Sequence, residues 1–156
     1  MQKAFMAVPG VLAIVLSAQL FAADNDPNLG LIKARQGDMQ VRAYSAVPLF
    51  NMAKGKIPYD AAQAGKLANN LKVLLQLDMG GAWAPETGND KYGDKTKALP
   101  EIWSTYPKIA ESGKKYKTAV EDLAAVAGNG LDALKSKIGP LGDACKACHD
   151  DFRKKE

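Results

Sequence analysis

Two thiols and one imidazole crowd into five residues near the end of the chain, Cys145-Lys146-Ala147-Cys148-His149, and they are its only cysteines and its only histidine. Groups of these kinds exchange disulfides, ligate metals or capture a reactive cofactor. A thioredoxin-like redox pair follows a strand at the start of a helix, and no strand pattern precedes Cys145. A zinc site closes with four ligands, and two Cys with one His fall short. Free core thiols occur in buried positions, but they suit an exported chain poorly. The spacing fits c-type haem attachment. Each thiol adds to one of the two haem vinyl groups, and the imidazole that follows is placed to hold the iron as proximal ligand. On a helix His149 lies one turn beyond Cys145 and beside Cys148, so all three project from one side. With no second histidine, ligation by two histidines is excluded.

The elements that must position this motif are helical. In the last stretch Leu131, Leu134, Ile138, Leu141, Cys145, Cys148 and Phe152 step by threes and fours, which puts both thiols on an inward stripe. Pro140, in the middle, predicts a bend because it cannot donate to the carbonyl of Ser136. The stretch before it carries Ile102, Tyr106, Ile109, Gly113, Tyr116, Val120, Leu123 and Ala127 with the same beat and ends at Gly128-Asn129-Gly130. Pro107 suits a first helical turn after Ser104 or Thr105, leaving Pro100 to Trp103 as a separate short turn.

Nearer the start, Ile32, Gln36, Met39, Ala43, Ala46 and Phe50 form one stripe, with Pro48 expected to kink or fray its end, and Ala64, Leu67, Leu71 and Leu74 form another. The second stripe opens at Asp60, with Gln63 three residues on as in a capping box. Met79 to Leu99 reads as a long exposed connection, of a length that is uncommon unless it does something. No segment alternates with period two for long enough to make a strand. The expected fold is therefore all-α, an antiparallel up-down four-helix bundle with the haem in the bundle core near the C-terminal helix. The thioether-linked macrocycle is apolar enough for such a core, while its propionates need water or a cationic partner.

The 156 residues suffice for one domain and not for two. A basic opening and an apolar run from Ala4 to Phe21 read as a cleaved secretory signal over residues 1–23, followed by a bundle domain over 24–156. Without Lys3 the chain has 20 basic side chains against 17 acidic ones, about +3, too mild to argue for nucleic acid. Lys108, Lys114, Lys115, Lys117 and Arg153 to Lys155 suit either a solvated face or the steering of an acidic partner.

Arg35-Gln36, Gly55 followed by Pro58 to Gln63, Pro100 to Trp103, and Cys145 to Arg153 together resemble the class II c-type cytochromes, the cytochrome c-prime family with its low-spin relatives. The resemblance spans nearly all of the chain behind the signal. It implies a periplasmic protein with one covalently bound haem c that shuttles single electrons and is not an enzyme. Position by position, it makes Arg35 and Gln36 haem-edge contacts, with Arg35 a propionate partner. Thr96 and Lys97 fall where the family touches a propionate, and Arg153 matches a basic residue near the proximal His149. Met39 falls over the distal face, where low-spin members place a methionine ligand and high-spin members a bulky side chain that leaves the iron five-coordinate. Both patterns stay open. Histidine with methionine suits electron exchange with periplasmic redox partners. An open iron suits nitric oxide or carbon monoxide, with oxygen disfavoured because no distal hydrogen-bond donor is evident. Trp83, Trp103, Tyr59 and Phe152 are candidates to pack around the ring. The resemblance also implies a homodimer through the first two helices.

Overall fold

Residues 26–155 are described by the computed structural model, so the expected signal segment lies outside them. Four long helices, α1 (Pro27–Ala53), α2 (Ala61–Leu74), α5 (Tyr106–Val126) and α6 (Leu131–Phe152), are joined by short links except between α2 and α5. That long connection carries α3 (Asn89–Tyr92), α4 (Glu101–Ser104) and two turns of 3-10 helix, Gly80–Trp83 and Gly93–Lys95. Helix α1 packs on α2 and α6, and α5 packs on the same two, which closes a ring of four. The chain is the expected four-helix bundle. Among the described residues the only extended pairing is an isolated bridge between Ala98 and Arg153.

Local signals set the helix starts. The Asp60 carboxylate accepts from the Gln63 backbone N–H at 2.7 Å, so the capping residue read from sequence caps α2. Asp26 does the same for α1 through the Asn28 N–H at 2.9 Å, with Pro27 in the first turn. Pro107 stands in the first turn of α5, behind α4 as a separate turn. Pro48 and Pro140 lie inside α1 and α6 without ending them. Leu49 and Met52 beyond the first, and Leu141 and Ala144 beyond the second, are buried, and that packing outweighs one lost backbone bond.

The inward stripes divide the bundle into a solid end and a hollow end. At the solid end Leu49, Met52, Ala64, Leu67, Val120, Leu123 and Leu134 are all buried in one cluster. Each large aliphatic side chain there contributes about 1.5–3 kcal/mol relative to exposure. At the other end the stripe residues meet space. Met39, Ala43, Ala46 and Phe50 of α1, with Ile109, Gly113 and Tyr116 of α5, line a cavity. The α1 stripe read from sequence is thus corrected in part. Ile32 is buried, but Gln36, Met39 and Ala43 are exposed, and Arg35, Ser45, Leu49 and Met52 are the buried positions beside it. Tyr106 also leaves its predicted stripe, since it begins α5 and is 69% exposed.

Candidate haem-attachment site

Helix α6 carries Cys145, Cys148 and His149 to the wall of that cavity, whose volume is about 500 Å³. Its remaining walls are Asp38 to Phe50 of α1, the end of α2 from Leu71 with Leu77 and Met79 beyond it, Trp83, and the first half of α5. The size lies within the range of ~300–1,000 Å³ typical of cofactor sites. Burial pushes both thiols above the ordinary cysteine pKa, so they are held as neutral, apolar groups. His149 is shifted the other way, first by burial and then by the charge of Arg153, which favours the neutral imidazole that a metal requires. A Cβ placed on Gly113, in the opposite wall, would meet nothing within 4 Å. A wide apolar slot with two thiols and one imidazole on a single helical face is the shape and donor set that a covalently held porphyrin needs.

The other sequence-expected residues divide. Met39 is in the cavity wall and 42% exposed. Arg35 is not part of that wall. It is buried at 4% exposure against the long connection. Its Nη1 donates to Thr87 Oγ1 at 2.5 Å and to the Ala82 carbonyl at 3.2 Å, and its Nη2 to the Thr87 carbonyl at 2.9 Å. The guanidinium lies over the Trp83 ring, 4.9 Å from its centroid. Gln36 donates to the Lys95 carbonyl at 2.9 Å.

Thr96 is buried, and its hydroxyl accepts from the Ala98 N–H at 3.2 Å. The Lys97 carbonyl accepts from the Lys154 N–H at 2.8 Å, while Arg153 donates its backbone N–H to the His149 carbonyl at 3.2 Å. Lys97 and Arg153 are therefore brought beside the end of α6, while Arg35 and Gln36 are bound by the connection itself. Of the four aromatic candidates only Trp83 lines the cavity. Trp103 donates its indole N–H to the Trp83 carbonyl at 2.9 Å, and Tyr59 bridges Ala127 and Gly130 at the α5–α6 turn.

The long connection is not simply exposed. Ala82, Thr87, Gly88 and Thr96 within it are buried. A Cβ on Gly88 would lie 2.6 Å from Asp90 Oδ1 and 3.0 Å from the Trp103 ring, so any larger residue there would have to push both side chains aside. Its folding delivers Met79 and Trp83 to the cavity, which no periodic signal in so irregular a segment reveals.

Sequence reading also missed Asp38 and Arg42, which join the stripe residue Tyr116 in a charged and hydroxylated group in the same wall. Arg42 stands on α1 with Met39, and Tyr116 of α5 lies beneath its guanidinium, so the cavity wall carries polar hydrogen-bonding groups. The signal was available in Asp38 and Arg42 at i and i+4, a spacing that pairs charges on one helix face.

The sequence profile of the cytochrome C' family matches residues 30–153. This chain belongs to the cytochrome c-prime family. A cytochrome c' of Cereibacter sphaeroides is 37% identical over 144 residues, 92% of this chain and 94% of that protein. The solved cytochrome c' described as from Rhodobacter spheriodes superposes with a TM-score of 0.80 at 36% identity, over 83% of this chain and 98% of its own. A nitric oxide complex of a point variant of cytochrome c prime from Alcaligenes xylosoxidans does so with a TM-score of 0.71 at 32% identity, over 83% and 97%. Cytochrome c-prime chains are themselves familiar examples of the up-down bundle.

As a member, this cytochrome c-prime chain carries a single covalently attached haem c. The group supplies a one-electron iron couple. Cys145 and Cys148 would hold it, and His149 is the imidazole placed to ligate its iron. What the chain itself adds is a largely apolar lining around the group.

Proposed function

We propose that this protein is a periplasmic single-electron carrier in which His149 and Met39 supply the two axial ligands of the haem iron. The observation that carries the reading is that Met39 of α1 and His149 of α6 line one cavity with both thiols between the same walls. A thioether ligand raises the reduction potential and reduces rearrangement on electron exchange. Under this reading the work is stoichiometric exchange with periplasmic redox proteins and not turnover of a substrate. The Lys-rich surface supports partner steering only modestly. Lys108 pairs with Asp151 at 3.1 Å, Lys117 with Glu121 at 4.0 Å and Lys154 with Asp94 at 3.3 Å. The apolar run Ala4 to Phe21 behind Lys3 supports export. Val41, Tyr44 and Val73, exposed on α1 and α2, suit pairing of two copies through those helices.

A second reading is favoured by the open, apolar character of the same cavity and by the nitric oxide complex of the Alcaligenes xylosoxidans relative. In it Met39 stays off the iron, and a small gas takes the sixth position. Absorption spectra of both oxidation states, followed by carbon monoxide added to the reduced protein, separate the two. The carrier reading expects a low-spin spectrum indifferent to the gas and a large spectral change in Met39→Leu. A high-spin resting spectrum with prompt carbon monoxide binding would reject methionine ligation and leave gas binding as the function.

A further inference from the structure

Asp38, Arg42 and Tyr116 stand in the cavity wall without a part in the carrier reading. Arg42 Nε donates to Asp38 Oδ2 at 2.8 Å, its Nη2 reaches the Leu74 carbonyl at 3.4 Å, and its guanidinium lies 5.1 Å from the centroid of the Tyr116 ring. The paired side chains are only 17% and 8% exposed. Burying an ion pair costs more than burying apolar groups of the same volume, so a wall that merely covered a macrocycle would be better built from Met or Leu.

The cluster is also incompletely bonded. Asp38 Oδ1 and the Tyr116 hydroxyl are buried with no hydrogen-bond partner among the described residues. Burial would lower the pKa of Arg42, but the bond to Asp38 and the contact with Tyr116 reverse this and hold it charged. Its charge is also felt at Cys145, which puts the cluster beside the attachment helix.

We propose that Arg42, held in place by Asp38 and seconded by the Tyr116 hydroxyl, is an anion-recognising residue of the haem cavity, fitting it for small anionic ligands such as azide or cyanide. The inference rests on the haem reading. An anion entering an apolar cavity loses its hydration and needs a fixed donor or cation to replace it. A neutral diatomic gas needs neither. The cluster therefore admits anions that an all-apolar wall would reject, while leaving neutral gases unaffected.

The test uses the haem-loaded protein with Met39 intact and in a Met39→Ala background, so that the sixth position is open whichever way Met39 is used. Ferric protein is titrated with azide and with cyanide, and reduced protein with carbon monoxide. Arg42→Met should weaken both anions by about tenfold or more, the worth of one charge-assisted hydrogen bond, while carbon monoxide affinity stays within about twofold. Asp38→Asn/Arg42→Met removes both charges together, avoids an unpaired buried carboxylate, and should show the same selective loss. Asp38→Asn alone should not lower anion affinity. Absence of anion binding in the Met39→Ala protein, unchanged anion affinity in the Arg42 variants, or equal loss of anions and carbon monoxide overturns the proposal. A colourless protein whose mass is that of the bare polypeptide would instead sink the haem reading itself.

Discussion

Replacing Arg35 with methionine should loosen the connection between α2 and α5 rather than the haem site. The guanidinium makes three hydrogen bonds, two of them to carbonyls that have no substitute donor in place, and it stacks on Trp83. Thr87 Oγ1, which accepts from Arg35, itself donates to the Ala84 carbonyl at 2.6 Å, so one substitution disturbs a chain of bonds. Hydrogen bonds from a charged donor contribute about 1.5–3 kcal/mol each, and the stack about 1 kcal/mol. Against this, methionine also removes the cost of burying a charge that has no carboxylate partner, a cost that depresses the pKa of Arg35. The net loss should be about 2–4 kcal/mol, which for a domain of this size lowers Tm by roughly 10 °C.

Thermal unfolding of the haem-loaded protein followed by circular dichroism reads the loss, and limited proteolysis should show new cuts between Met79 and Leu99. Arg35→Lys keeps the charge but cannot reproduce the fork of bonds, so it should recover less than half of the stability. If Arg35→Met melted within about 1 °C of the parent with no new cleavage, while the haem spectrum or potential moved, the clamp would be wrong and the propionate contact expected from the family resemblance would be right.

Three further substitutions test the frame. Leu134→Ala empties a fully buried position at the solid end and should cost about 2–5 kcal/mol in denaturant unfolding. Asp60→Ala removes the cap of α2 and should cost about 1 kcal/mol, with Asp60→Asn recovering most of it. Tyr59→Phe leaves the Ala127 carbonyl and Gly130 N–H without the hydroxyl that joins them, and should cost about 1–2 kcal/mol with no change in the haem spectrum.

By itself, the sequence determined the attachment chemistry and the helical frame. Two thiols three apart followed by an imidazole admit few chemistries, and the spacing is a local, covalent property that no packing can alter. The stripes of α2, α5 and α6 are local as well, because a helix repeats its inward face every three or four residues. Tertiary structure alone decided which part of each stripe is core and which is cavity wall. Periodicity marks Leu123 and Ile109 alike as inward, yet one meets side chains and the other the cavity.

It also decided the fate of the charges. Arg35 and Arg42 both stand on α1, and nothing in their spacing shows that the first is bound by oxygens of a segment 47 to 52 residues away while the second lines the cavity that holds both thiols. Burial of a cation depends on partners supplied from distant parts of the chain. For Arg35 those partners exist only once the connection from Met79 to Leu99 has folded against α1.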